Sequence, residues 1–269
     1  MVTGGQEFFT PLTFDFLWEA AGLGELPYPL RVRSHGATLD ERSALRRRAD
    51  NELRARGLRD HFGRLEPHVE DWFAVLARPT LSVDALHIPD YQQPPVGVLA
   101  ASDGTTGVIA IQTSDGIWIR PTFAEGLASA VVDLLPAGKR GTEASITLPV
   151  EEALRIPPNR VPVTPDGEPE PTRARRRTSL SEQVADPRES YARLAGQPRL
   201  RGGQLAANSF SELAGRRRSP VLAWFDTASG RYLSLSRPGG DGREWITVAP
   251  ADAKTLRSRL SEMVASVTS

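Results

Sequence analysis

The strongest constraint on this chain is that it carries nearly the same pattern twice. "VGVLAASDGTTGVIAIQT", Val96 to Thr113, and "SPVLAWFDTASGRYLSLSR", Ser219 to Arg237, each read as an apolar run, a D-x-x-x-G turn (Asp103 to Gly107, Asp226 to Gly230) and a second apolar run. Apolar runs bounded by such turn residues predict β-hairpins. After each hairpin come a Gly-containing turn, a short strand holding a tryptophan ("GIWIR" around Trp118, "REWITV" around Trp245) and a helix introduced by proline. The first of these helices places Phe123, Leu127, Ala130, Val131 and Leu134 on one face, and the second places Leu256, Leu260, Met263, Val264 and Val267 at the same intervals. A β-β-β-α unit in each half predicts an α+β fold with a pseudo-two-fold internal repeat. One central antiparallel sheet is fed by both halves, and flanking helices cover one face.

Ahead of the first unit the helix signals are local. Thr10 precedes Pro11 as N-cap of a helix that ends near Gly22 or Gly24, with Phe14, Leu17, Trp18 and Ala21 on one face. A short strand is expected at "LRVRS". A capping box, Thr38 to Glu41, opens the next helix, which closes at Gly57 and carries Leu45, Ala49 and Leu53 as its apolar stripe. Asp50 with Arg54 and Glu52 with Arg56 are spaced for i,i+4 ion pairs worth about 0.3 to 0.5 kcal/mol each. A third helix runs from Pro67 to Ala77, and "TLSVDALHI" alternates as a strand does. Between the halves the Pro- and Arg-rich stretch holds almost no large apolar side chains, so it cannot offset its ordering entropy. The expected organisation is an N-terminal half over residues 1–156, a flexible loop over 157–178 and a C-terminal half over 179–269, the two halves forming one domain. Ser179 with Glu182, and Asp186 with Pro187 and Glu189, signal two short helices after the loop.

Composition narrows the chemistry. The 33 Lys and Arg balance 33 Asp and Glu, so no global attraction to nucleic acid or anionic membrane is expected. The absence of cysteine excludes disulfides, thiolate zinc sites and thiol nucleophiles. No apolar run reaches the roughly 18 residues of a membrane span and no export signal is visible, so a cytoplasmic location is expected.

Catalytic signatures are missing: there is no P-loop, no G-x-G-x-x-G after a strand, no H-E-x-x-H and no G-x-S-x-G. His61 and His68 could share a helix end and loop, but no third ligand stands in register, and no metal or cofactor is expected. Asp103 and Asp226 occupy equivalent repeat positions, where an aspartate opening a D-x-x-x-G turn bonds its own turn rather than forming a carboxylate pair. The arginine clusters 46–48, 173–177 and 216–218 keep a nucleic-acid-associated protein as the alternative function. They lack interleaved aromatics for base stacking, and such binding would weaken steeply with salt.

The second hairpin offers a binding surface. Numbered by parity, Val221, Ala223 and Phe225 with Leu233 and Leu235 make a set rich in aliphatic residues, whereas Leu222, Trp224, Tyr232 and Ser234 mix aromatic and hydroxyl groups as protein interfaces do. The latter set is expected as the partner-binding face, with Arg231 and Arg237 at its rim. The competing expectation is that Trp224 and Tyr232 pack beneath the helices of the second half.

The order and spacing of "LTFDFLWEAAGLGELPYPL", "RRRADNELRARGL", "VEDWFAVLARP", "RLRGGQ", "VLAWFDTASGRYLSL" and "WITVAPADAKTLRSRL" resemble the EspG family, cytosolic chaperones of actinobacterial type VII secretion systems. The resemblance implies a quasi-two-fold α+β fold and a non-enzymatic protein. It also implies a client, the hydrophobic tip of the PPE protein in a PE/PPE heterodimer, kept soluble and directed to its secretion system. Expected partners are that heterodimer or, for the unbound chain, a second copy; nucleic acid and membrane are not expected. The Pro- and Arg-rich linker departs from the family pattern.

Overall fold

The computed structural model describes residues 5–90, 92–156 and 186–269. The loop expected over 157–178 and the helix start at Ser179 and Glu182 lie outside the described residues. A short strand β1 (Glu7–Phe9) leads into three helices, α1 (Pro11–Ala20), α2 (Leu39–Ala55) and α3 (Pro67–Ala77). Strands β2 (Leu81–Ile88), β3 (Val96–Ser102), β4 (Gly107–Gln112) and β5 (Ile117–Thr122) precede helix α4 (Leu127–Val132). Strand β6 (Ile146–Pro149) runs directly into α5 (Val150–Arg155), and α6 (Pro187–Ala195) opens the C-terminal half. Strands β7 (Arg201–Ser211), β8 (Gly215–Arg218), β9 (Leu222–Thr227), β10 (Gly230–Pro238) and β11 (Glu244–Pro250) then lead to α7 (Ala253–Thr268).

All these strands join one antiparallel sheet in the order β1-β5-β4-β3-β2-β7-β9-β10-β11-β6, with β8 paired to the far end of β7. Pairing of β2 with β7, from Leu81 opposite Ser209 to Ile88 opposite Gly202, joins the halves. Outward from that pair the succession is β3, β4, β5 on one side and β9, β10, β11 on the other. The two turns differ in length. Ser102 pairs with Gly107 across residues 103–106, whereas Thr227 pairs with Gly230 across only Ala228 and Ser229.

Local signals placed the helix starts. Thr10 accepts from the Thr13 amide at 3.2 Å with Pro11 behind it, Thr38 from Glu41 at 3.2 Å, and Asp186 from Arg188 at 2.9 Å. Asp252 caps α7 by accepting from the Thr255 amide at 2.7 Å and its hydroxyl at 2.8 Å. Replacing Asp252 with alanine is expected to cost about 1 kcal/mol, the usual size for a lost N-cap, read as a shift in the urea midpoint at unchanged slope.

Three expectations are corrected. Helix α4 begins at Leu127 rather than near Phe123, because β5 continues through Pro121 to Thr122, opposite Gly107. The chain then crosses Gly107 so closely that a Cβ there would lie 2.7 Å from the Thr122 carbonyl oxygen, and Phe123 is left exposed. The "LRVRS" stretch is not a strand; the Gln112 side chain takes the partner's role, accepting from the Arg31 amide at 2.8 Å and donating to its carbonyl. Glu52 and Arg56 form their i,i+4 pair at 3.7 Å, but Asp50 instead meets Arg59 at 3.3 Å.

One face of the sheet is covered by α4 and α7. Leu256, Leu260, Met263 and Val267 of α7 bury against Val83, Val98, Leu205, Leu222 and Leu233, each side chain contributing about 1.5 to 3 kcal/mol. The opposite face carries two separate clusters. Over β3, β4 and β5 lie Phe14, Leu17 and Trp18 of α1, Leu53 of α2 and Val69, Trp72, Phe73 and Leu76 of α3. Over β6, β10 and β11 lie Ala153 of α5 and Leu194 of α6.

Candidate functional site

The hairpin named from sequence as a partner surface is mostly core. Across the β9–β10 turn Leu222 stands opposite Leu235, Ala223 opposite Ser234, Trp224 opposite Leu233 and Phe225 opposite Tyr232. With a two-residue turn, opposing residues have opposite number parity, so Leu222 and Trp224 share a face with Leu233 and Leu235, not with Tyr232 and Ser234. Leu222 and Trp224 pack under α4 and α7, and Tyr232 is buried in the cluster with α5 and α6. Arg231, expected at the rim, is only 1% exposed, while Ser234 is half-buried and Arg237 is exposed. Sequence parity had joined residues that lie on opposite sides of the sheet.

The polar groups of this hairpin close on themselves. Arg231 lays its side-on fork against Asp226, Nε to Oδ1 at 2.7 Å and Nη2 to Oδ2 at 2.9 Å, and Nη2 also donates to the Pro136 carbonyl at 2.7 Å. Arg201 reaches the same carboxylate at 2.5 Å. The Arg231 guanidinium stacks 4.6 Å from the Trp224 ring. Burial pushes the Asp226 pKa up, but the bonds from Arg231 and Arg201 outweigh it and hold the carboxyl below its ordinary range. Asp226 is therefore a spent carboxylate. Its counterpart Asp103 does bond its own turn, accepting from the Thr105 amide at 2.9 Å and the Thr106 amide at 2.8 Å. At Asp226 that role passes to Thr227, whose hydroxyl accepts from the Ser229 amide at 3.2 Å.

The open ground lies elsewhere, on the sheet face opposite α4 and α7, between the two helical layers. Cross-strand neighbours there form a row, Leu86, Gln204, Ala223 and Ser234, which belongs to neither cluster on that face, while Gly97, next along from Leu86, is buried against Pro29. Gln204 is exposed, and Leu86, Ala223 and Ser234 are half-buried. Small side chains keep this floor low. On the covered face of the same strand, a Cβ at Gly203 would sit 2.5 Å from the Leu86 carbonyl oxygen and 2.7 Å from the Trp224 indole nitrogen. A glycine is thus required for β7 to pass between Leu86 and Trp224.

Beside this row a polar network is set into the sheet. Arg218 of β8 donates from Nη1 to Asp84 Oδ2 at 2.6 Å and from Nη2 to Asp84 Oδ1 at 3.1 Å, and Nη1 also donates to Asn208 Oδ1 at 2.7 Å. Asn208 Nδ2 donates to Asp84 Oδ2 at 2.7 Å. Asp84 is buried, yet the Arg218 side chain stays 46% exposed, with the Tyr28 ring 5.9 Å away. Large apolar side chains are exposed on the neighbouring segments: Tyr28, Phe210 opposite Arg216 and Val221 three residues on from Arg218 are each more than two-fifths exposed, and Leu213 at the β7–β8 tip is fully so. Arg217, the middle of the basic run, turns to the end of α7 and donates to the Ser269 and Ser266 carbonyls. Sequence reading missed this site because β7, with two glycines, Gln204 and Asn208, carries no strand alternation, and its neighbours come from distant segments.

The geometry offers a floor of mostly small, mixed apolar and polar side chains with aromatic and arginine side chains at its margin, which suits holding a protein surface. No helix among the described residues is long and apolar enough to cross a membrane. His61 stacks on Phe62 with ring centroids 3.8 Å apart and His68 packs against Trp72 at 4.9 Å, so the two are engaged separately.

No curated protein matches this chain. Among solved structures, the Mycobacterium tuberculosis type VII secretion system chaperone EspG5, determined in complex with a PE25-PPE41 dimer, superposes with a TM-score of 0.69 over 98% of this chain and 96% of that one. At 17% identity that likeness establishes a shared fold. The sequence itself carries the relationship further, since the model of the EspG family matches residues 10–262. This chain therefore belongs to the EspG family.

Proposed function

We propose that this chain is a non-enzymatic cytosolic chaperone that binds the hydrophobic tip of the PPE protein in a PE/PPE heterodimer. It masks that tip by stoichiometric binding and so keeps the pair soluble for a type VII secretion system. Family membership supports the class of client, and the open floor between the helical layers is the observation that carries the binding reading. In this reading residues 1–156 and 179–269 act as one domain, held together through the β2–β7 pairing. The client lies on the row from Leu86 to Ser234, with Val221 and Phe210 beside it. Such a contact needs apolar area and shape complementarity, with no nucleophile or metal.

Co-expression with a PE/PPE pair from the same gene neighbourhood is expected to yield a soluble heterotrimer on size exclusion; a pair that elutes without this chain overturns the reading. Replacing the exposed Val221 with aspartate is expected to leave thermal unfolding within about 0.5 kcal/mol of the parent. The same change weakens client binding at least about tenfold, or roughly 1.4 kcal/mol, in isothermal titration. Binding that collapses with salt in the parent, and is captured equally by DNA, would instead favour the arginine clusters as a nucleic-acid surface.

A further inference from the structure

Arg231 and Arg218 each grip a buried aspartate with two nitrogens, and they do so with different edges. Arg231 uses its side-on edge, Nε and Nη2, on Asp226. Arg218 uses its end-on edge, Nη1 and Nη2, on Asp84, and spends the outer Nη1 proton on Asn208. A guanidinium has five N–H donors in a fixed plane. Three are thus engaged in Arg218, and the two left over, Nε–H and the outer Nη2–H, are parallel neighbours on the side-on edge. That edge has no partner among the described residues, whereas at Arg231 the same edge already holds a carboxylate. We infer that the free side-on fork of Arg218 takes a carboxylate of the client, making Arg218 a specificity residue of the face described above; the inference rests on the chaperone reading.

Three observations make a carboxylate the fitting group. The fork matches its two oxygens, and paired N–H···O bonds of this kind are the strong, geometrically selective ones. Asp84 and Asn208 hold the guanidinium plane from the opposite edge, so little side-chain freedom is lost when the client arrives. Arg216 lies two residues away on the same side of β8, opposite Phe210, is exposed, and has no acidic side chain within ion-pair distance among the described residues. The local charge is therefore positive even though Asp84 neutralises Arg218. Tyr28, its ring 5.9 Å from the guanidinium, and Phe210, opposite Arg216, put exposed apolar surface beside the fork. The client segment that fits is apolar with one Asp or Glu set among its hydrophobic side chains.

The test uses the full chain and the PE/PPE dimer of the co-expression experiment. Arg218→Lys keeps the charge and can still reach Asp84, but an ammonium has no fork. It is expected to bind the dimer at least about tenfold more weakly, with the salt dependence of the parent because the charge is unchanged. Changing the acidic residues of the PPE tip singly to Gln or Asn should reveal one whose loss matches that of Arg218→Lys and adds nothing to it in the double variant. In the unmodified chain the Arg218 Nε–Hε resonance, assigned by its disappearance in Arg218→Lys, should move downfield on complex formation, a readout that does not depend on the stability of the variant. Parent-like affinity of Arg218→Lys, an unmoved Nε–Hε signal, or additive losses for every client acid would overturn the inference while leaving the chaperone reading standing. A parent chain that forms no complex overturns both.

Discussion

Trp224→Ala is expected to lower folding stability by about 3 to 5 kcal/mol, the range for truncating a large buried aromatic. The ring sits at 2% exposure between β7 and helices α4 and α7, in contact with the core that includes Leu205, Leu222 and Leu233. The Arg231 guanidinium lies 4.6 Å from its centroid and the His87 ring 5.5 Å. Removing it leaves a cavity that β7 cannot fill, since Gly203, the residue above the indole, has no side chain. For a chain of this size the melting temperature falls by about 2 to 4 °C per kcal/mol, so a drop of about 6 to 20 °C is expected in calorimetry. Client affinity of the folded fraction should change much less than for Val221→Asp. An unchanged melting curve with lost client binding would return Trp224 to the surface role assigned from sequence.

Asp226→Asn is the second large effect. The substitution keeps the shape but leaves Arg231, at 1% exposure, as a buried cation with no counter-charge, a loss of about 3 to 5 kcal/mol. The acid dependence of stability should change with it. Burial raises the Asp226 pKa and the arginine bonds more than offset that, so the folded value lies below the ordinary 3.8. The unfolded chain therefore binds the proton first. Stabilisation from Asp226 is complete above about pH 4 and is lost as pH falls through the folded value. His87 adds an earlier loss, because burial, followed by the Arg201 and Arg231 charges, pushes its pKa below the ordinary 6.5. Urea titrations from pH 7 downward should show the parent losing stability in both windows and Asp226→Asn losing less of it in the lower one, where the other carboxylates held below their ordinary range, Asp103, Asp241 and Asp252 among them, still titrate. A variant with the parent's full acid slope would mean that Asp226 is not the group involved.

The register across the second hairpin is where reading by number alone failed. Alternation along β9 and along β10 was visible separately, but which face of one joins which face of the other depends on the turn. Pairing Thr227 with Gly230 makes opposing positions differ in parity, which moves Tyr232 and Ser234 to the far side of the sheet from Leu222 and Trp224. The same kind of uncertainty hid Asp226. Its turn motif matches that of Asp103, yet only the folded chain brings Arg201 and Arg231 to its carboxylate and leaves Asp103 with its own turn.

By itself, the sequence determined what short-range interactions decide. Thr10, Thr38 and Asp186 start helices because each cap bonds an amide two or three residues on, and the 3.6-residue spacing of Leu256, Leu260, Met263 and Val267 builds one apolar stripe wherever α7 goes. The twin hairpins follow from equally local alternation and turn chemistry, whereas their joining into one sheet rests on the β2–β7 pairing. Tertiary structure alone decided which face α4 and α7 cover, that glycine-rich β7 is a central strand, and that the floor from Leu86 to Ser234 stays open beside the Arg218 fork. Those outcomes depend on strands brought together from segments more than a hundred residues apart, such as Leu86 and Gln204 or Asp84 and Arg218, and no spacing within either segment encodes the meeting.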